Sequence, residues 1–162
     1  DHLTEIASAF SRFASLPDMK AERVDLLQVL RGSVQLFQAQ GVTLSCEEET
    51  LWVHADPAQW NRAFNNLLQN AVQAIPSDRK AEISVKAWAD GENVQISICD
   101  NGIGMEDEQK ERLFEPRFTT KSKGMGLGLA MVKRIVEQSA AEIRFDSRIG
   151  RGSCFYITLT KT

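Results

Sequence analysis

Asn66 and Asn70 stand one helical turn apart in the stretch NNLLQNAVQAI, residues 65–75. Asparagine is a poor mid-helix residue, because its amide competes with the backbone for hydrogen bonds. Gln59, Arg62, Asn66, Asn70 and Gln73 follow three- and four-residue steps along one side of the segment; Trp60, Phe64, Leu67, Ala71 and Ile75 follow such steps along another. A solvated face usually favours Glu and Lys, which cost less in a helix, whereas this stripe is almost all neutral amide. An amide oxygen suits a hard cation such as Mg²⁺, which often takes only one or two protein ligands beside phosphate and water. An amphipathic helix with its wet side outward is the plainer reading, and the stripe alone does not separate the two.

Two further stretches carry chemistry. In CDNGIGM (99–105), Asp100 ends a strand-like run, and Gly102 and Gly104 let backbone come close to a ligand at that edge. A carboxylate fixed there can accept hydrogen bonds from an exocyclic amine such as that of adenine, although Asp-Asn-Gly is also a common turn. In TTKSKGMGLGLAMVKRI (119–135), Gly124, Gly126 and Gly128 alternate into a helix start, where free N–H groups and the helix dipole favour an anion. Lys121 lies just upstream, within reach of a terminal phosphate. Between 109 and 123, Lys110, Arg112, Arg117, Lys121 and Lys123 outnumber Glu111 and Glu115, a basic surplus that suits polyphosphate. The spacing is neither that of a Walker A loop nor that of the dinucleotide glycine motif.

The elements that must hold these residues are legible from periodicity. Leu3, Ile6, Ala7, Phe10, Phe13 and Ala14 form a narrow helical seam, and LPDMKAER (16–23) breaks it as a linker. Asp25 caps a helix that Gly41 stops, and VTLSCE and LWVHA read as short strands. Asp56-Pro57 is a helix start with a capping side chain and a proline whose missing N–H costs nothing; Pro76 closes that helix. Residues 81–100 alternate as a hairpin around Asp90-Gly91. A short helix is expected near 107–113 and another after Gly128, with Met131, Val132, Ile135 and Val136 on one face. EIRFDS and SCFYITLT finish as strands around a Gly150/Gly152 turn. Paired strands with helices between them indicate an α+β fold, helices layered on one face of a mixed, mostly antiparallel sheet.

The 162 residues suit one domain with a short appendage, and the net charge of −3 argues against a general nucleic-acid binder. No apolar run is long enough to cross a membrane, and the N-terminus lacks the regions of a signal peptide. Cys46, Cys99 and Cys154 fit neither a disulfide framework nor a zinc spacing, so they are expected to be reduced core residues of a cytosolic domain. The first residues already read as mid-helix, as if cut from a larger protein.

In their order and spacing, NNLLQNA, DNGIGM, LFEPRFTTK and GMGLGL resemble the N box, first glycine box, F box and second glycine box of sensor histidine kinase catalytic domains. These are members of the GHKL superfamily with the Bergerat ATP-binding fold. The resemblance spans roughly 25–160, and SAFSRFASLP (8–17) further resembles the end of the second dimerisation helix in nitrogen-regulation sensor kinases. It implies three parts: that helix end at 1–16, a linker at 17–24, and an ATP-binding catalytic domain at 25–162. It also implies a two-layer α/β sandwich and Mg-ATP as ligand, with Mg²⁺ on Asn70 and Asn66 lining the same site. Asp100 would read adenine in a pocket shaped by Gly102 and Gly104. Gly124, Gly126, Leu127 and Gly128 would hold phosphate, with Lys121 beside them and the stretch from about 105 to 125 as a lid. Gln73, where relatives carry a basic residue, and Ser153, at a position often threonine near the adenine, complete the implied nucleotide set.

The resemblance also bears on the reaction. Related ATPases place a water-activating glutamate where this chain has Asn66, and an amide has no useful basicity near neutral pH. Positioning and charge stabilisation dominate phosphoryl transfer, so a kinase is favoured over an ATPase of the same fold or a nucleotide-binding pseudokinase module. The acceptor histidine is not in the chain, since neither His2 nor His54 lies in an H-E-x-x-N-P-like motif. The implied partners are ATP/ADP, the phosphoacceptor helical hairpin of the same protein in a homodimer, and a response-regulator receiver domain. The domain would be cytoplasmic, its full-length protein a candidate for anchoring in a bacterial inner membrane. Arg117 in the F box departs from the family pattern, as do the alanines of SAAEI (139–143) where a glycine pair commonly ends the helix.

Overall fold

The computed structural model describes residues 3–5, 7, 8, 11, 18–116 and 127–162. Strand β1 (Glu22–Asp25) leads directly into helix α1 (Leu26–Phe37), which a 3₁₀ turn extends as far as Gly41. Gly41, the glycine expected to stop the helix, adopts φ 90°, so the chain leaves through a left-handed residue. Strands β2 (Val42–Ser45) and β3 (Trp52–Ala55) follow, then helix α2 (Pro57–Gln73). Strands β4 (Ile83–Asp90) and β5 (Asn93–Cys99) form the hairpin, and a short helix α3 (Asp107–Glu111) comes after it. Helix α4 (Gly128–Gln138) and strands β6 (Glu142–Arg148) and β7 (Gly152–Thr160) complete the chain.

Five strands make the main sheet in the order β2-β4-β5-β7-β6, in which only the β2–β4 pair is parallel. Strand periodicity turns Val85, Ile96, Phe155 and Ile157 to one face, where they are buried against Leu30, Trp60, Phe64 and Ile135 of the helices. The opposite face carries Lys86, Trp88, Arg144 and Tyr156, exposed or half-buried. This is the α+β arrangement anticipated from the sequence, with the helices on one face of a mixed, mostly antiparallel sheet.

Two aspartate caps lock the helices to the rest of the chain. The Asp25 carboxylate accepts from Leu27 N at 3.2 Å and from Leu51 N at 2.8 Å, so the cap also pins the approach to β3. Asp56 accepts from Ala58 N and Gln59 N at 3.0 and 3.3 Å, and its other oxygen accepts from Lys20 N at 2.9 Å. Strand β1 was not anticipated: Glu22, Arg23 and Val24 fall in the stretch expected to be linker, yet they pair antiparallel with β3, and Arg23 stacks over Trp52. A four-residue strand has too few residues to display a period, and only its partner reveals it.

The cysteines require a correction. Cys99 and Cys154, expected to be reduced core residues, are joined by a disulfide, while Cys46 is free and half-buried. The bonded pair is separated by 55 residues in sequence but stands directly opposite in the β5–β7 register. Spacing along the chain carries no trace of that register. Neither residue belongs to the core, since each alternates with an inward-facing neighbour, Ile98 or Phe155. No helix among the described residues is long and apolar enough to cross a membrane.

Candidate functional site

A cavity of about 540 Å³ opens between α2, the β5–α3 loop and the start of α4. Asn66, Asn70 and Gln73 line it from α2, Asp100 and Gly104 from the loop, Gly128 from α4 and Ser153 from β7. Residues that are up to 87 positions apart (66 to 153) therefore share one wall-to-wall space.

Asp100 is the most elaborated residue of the site. Its Oδ1 accepts from Gly102 N at 2.8 Å and from Ser153 N at 3.3 Å, while its own N donates to Ser153 O at 2.8 Å. Among the described residues Oδ2 takes no hydrogen bond, so it is the oxygen left for an incoming donor. Burial pushes the carboxyl pKa up from its ordinary value; the two backbone N–H groups oppose that shift without cancelling it. The contribution of Ser153 is thus its backbone N–H. Its hydroxyl is engaged with Ser147 Oγ at 2.8 Å, and Ser147 also accepts from Met105 N at 2.9 Å.

The two loop glycines serve the protein's own packing. A Cβ on Gly102 would meet Ala74 O at 2.6 Å, and Gly102 does not line the cavity. Gly104 lines it with φ 72°, and a Cβ there would collide with Arg148 O. Close backbone approach was anticipated at both positions, but the surface approached is the α2 C-terminus and the β6–β7 turn.

On α2, Asn66 faces the start of α4. Its Nδ2 donates to Met131 Sδ at 3.8 Å, and a Cβ on Gly128 would lie 3.7 Å from its Oδ1. Asn70 is half-buried and Gln73 exposed at the rim. Gln59, the first member of the amide stripe, is instead buried away from the cavity. Leu127 is buried with its side chain outside the cavity lining, at the N-cap position of α4, where no side chain caps the helix. The free N–H groups of that helix start therefore have no side-chain acceptor at the cap. Lys121, Gly124, Gly126 and Arg117 lie outside the described residues, as does most of the F box.

Sequence reasoning missed Arg79 and Asn101. Arg79 Nη1 donates to Asn101 O at 2.6 Å and Gly102 O at 2.9 Å, and reaches Gly150 O at 3.5 Å. Asn101 donates to Lys80 O and accepts from Glu82 N, at 2.9 and 2.8 Å. Together they tie the Asp100 loop to the segment before β4 and to the β6–β7 turn. No local pattern marks an arginine as a carbonyl clamp, whereas Asn in Asp-Asn-Gly signalled only a turn. Ile103, Met105, Leu113 and Leu129 add apolar walls, which fits a flat aromatic ligand entering beside a polar acceptor.

Comparison with known proteins agrees with this geometry. Residues 55–162 match the family model described as histidine kinase-, DNA gyrase B-, and HSP90-like ATPase. The chain is 33% identical to sporulation kinase E of Bacillus subtilis strain 168, over 97% of its length and 22% of that protein's. It is 35% identical to the nitrogen regulation protein NtrY of Azorhizobium caulinodans, over 93% of its length and 21% of the relative's. It therefore spans about a fifth of the length of these relatives. Among solved structures, the nucleotide-free catalytic domain of histidine kinase ThkA superposes with a TM-score of 0.77 at 27% identity, covering 89% of this chain and 97% of that one. The amide-bearing helix, the aspartate at the end of β5 and the glycine-led start of α4 thus occur in a chain that belongs to the histidine kinase-, DNA gyrase B- and HSP90-like ATPase family, as an ATP-binding domain of the sensor-kinase type.

Proposed function

We propose that this chain is the catalytic part of a protein-histidine kinase, binding Mg-ATP in the cavity between α2 and α4. Asp100 Oδ2 accepts from the adenine amine, and the apolar residues beside it cover the ring. The phosphates run toward the N-terminus of α4, whose uncapped N–H groups and dipole favour an anion. By their place in the glycine motif, Gly124, Gly126, Leu127 and Gly128 hold the phosphates, Lys121 balances the terminal one, and Gln73 contributes at the rim of the cavity.

The donor set fits Mg²⁺ held jointly with nucleotide. Among the described residues no cluster of three His, Cys, Asp or Glu side chains exists, while the Asn70 amide lines the cavity. One amide oxygen together with phosphate and water is the coordination Mg²⁺ prefers over an all-protein cage. When bound, the ion would neutralise phosphate charge.

The observation that carries the kinase reading is Asn66, an amide facing Gly128 where an ATPase would need a base. A site that orients the γ-phosphoryl group without activating water favours transfer to an incoming histidine. That histidine lies on a dimerisation hairpin of the same protein, and the phosphoryl group passes on to an aspartate of a response regulator. In this reading residues 1–16 end the second hairpin helix and 17–24 lead from it into the catalytic domain at 25–162, with Glu22–Val24 already paired to β3. The domain works in the cytoplasm, and the longer protein is a candidate for anchoring in a bacterial inner membrane.

The test is phosphate release from Mg-ATP, measured alongside nucleotide binding in one sample. Bound ATP with negligible release, followed by phosphorylation of an added histidine-bearing hairpin, is the expected result. Sustained turnover that disappears in Asn70→Ala would make the protein a hydrolase.

A further inference from the structure

The Cys99–Cys154 disulfide closes the last rung of the β5–β7 ladder, one residue from each half of the Asp100 cradle. Asp100 follows Cys99, Ser153 precedes Cys154, and those two residues exchange two hydrogen bonds, Asp100 N donating to Ser153 O at 2.8 Å and Ser153 N to the Asp100 carboxylate at 3.3 Å. Past the Asp100–Ser153 bonds the ladder ends: β5 has given way to the glycine loop, and β7 begins at Gly152 with φ 110°. Strand ends are where ladders open most readily, so a covalent cross-link there limits how far Asp100 and Ser153 can separate.

Cys99 is reachable from a cavity other than the nucleotide one. Cys99 lines a second cavity of about 800 Å³, on the side of Thr43, Ser84, Lys80 and Asn101. Asp100 lines this cavity and the nucleotide cavity alike. A thiol can therefore approach Cys99 without entering the nucleotide cavity. In a cytoplasmic setting, paired cysteines are usually transient and redox-responsive, and exposed ones exchange most readily.

We propose that Cys99 and Cys154 form a thiol–disulfide exchange site for a dithiol reductant, and that its state sets nucleotide affinity. The reductant's thiolate attacks Cys99 Sγ, the bond to Cys154 breaks, and Cys154 leaves as a thiolate that takes up a proton. The reductant's second thiol then attacks the mixed disulfide and frees Cys99. Two electrons and two protons reach the protein pair, and the dithiol becomes a disulfide. The oxidised form holds the Asp100 cradle pre-organised, while the reduced form must order it on binding. The coupling to affinity rests on adenine lying at Asp100, as proposed above; the exchange chemistry does not.

The experiment compares the intact chain after mild oxidation and after dithiothreitol, counting alkylated thiols under denaturing conditions and titrating ADP by calorimetry in each state. The expected result is one labelled thiol when oxidised, from Cys46, and three when reduced. ADP should bind several-fold more weakly to the reduced protein. Cys154→Ser should match the reduced affinity and ignore dithiothreitol; the reduced wild type supplies the same reading without a substitution. Three labelled thiols after oxidation would overturn the exchange site. Equal ADP affinity in both redox states would overturn the coupling while leaving the nucleotide site intact. ADP binding in neither state would overturn the adenine placement, and the coupling with it.

Discussion

Asp100 is held by opposing forces, and their balance can be read by titration. Burial raises its carboxyl pKa above the unfolded value near 3.8, and the N–H groups of Gly102 and Ser153 lower it. Because the folded pKa is the higher one, this group's stabilising contribution is complete below the unfolded pKa and is lost as pH rises through the folded pKa. At neutral pH the ionised side chain therefore works against the fold that displays it. Asp100→Asn should melt at the same or a higher temperature than wild type at pH 7, with the difference closing toward pH 4. The same variant should bind ADP roughly 10- to 100-fold more weakly, the value of one hydrogen bond to a charged group. Thermal melts across pH, paired with calorimetry, check both halves; a parallel fall in stability and affinity would make Asp100 structural. The sequence marked this residue through its position at the end of an alternating strand and before two glycines. It did not mark Ser153 N as a partner or Arg79 as the clamp, since those contacts join residues from 22 to 71 positions apart.

At the scale of elements, helix ends were the most legible feature and one of them carries strain. Helix α4 closes with Ala140 N donating to Glu137 O at 3.2 Å and Ala141 N to Val136 O at 3.0 Å, the paired bonds of a Schellman motif. The residue that must turn left-handed is Ala140, at φ 53°, where glycine would meet no Cβ penalty. The alanines of SAAEI had put this turn in question; the geometry is kept at a cost. Ala140→Gly should stabilise the protein by about 1 kcal/mol and raise its melting temperature by roughly 2–4 °C. Differential scanning calorimetry reads this directly, and an unchanged or lower value would mean that the helix end carries no such strain. Asp25 and Asp56-Pro57 were visible because a cap is a property of a few adjacent residues. Strand β1 was invisible because it exists by pairing with β3, some 30 residues further along.

Across the whole molecule, α2 joins the core to the site. Its Trp60 and Phe64 are fully buried, and Trp60 Nε1 donates to Ser139 Oγ at 3.1 Å, tying α2 to the end of α4. The same helix presents Asn66 and Asn70 to the cavity, so the packing that stabilises the fold also sets the spacing across the site. Phe64→Ala should cost about 3–5 kcal/mol and lower the denaturant midpoint with little change in slope. A loss below 1 kcal/mol would show that the helix is not anchored through this residue. By itself the sequence determined what depends on neighbours along the chain: helix period, strand alternation, caps, turns, and the amide and glycine motifs that resemble the kinase family. Only the tertiary structure decided what depends on register and closure. It brought Cys99 to Cys154, turned Asn66 toward Gly128, made the loop glycines a matter of internal packing, and buried Gln59 away from the stripe it continues. Local patterns constrain a residue's conformation and the face it presents; which distant residue meets that face is set by how sheet and helices pack together.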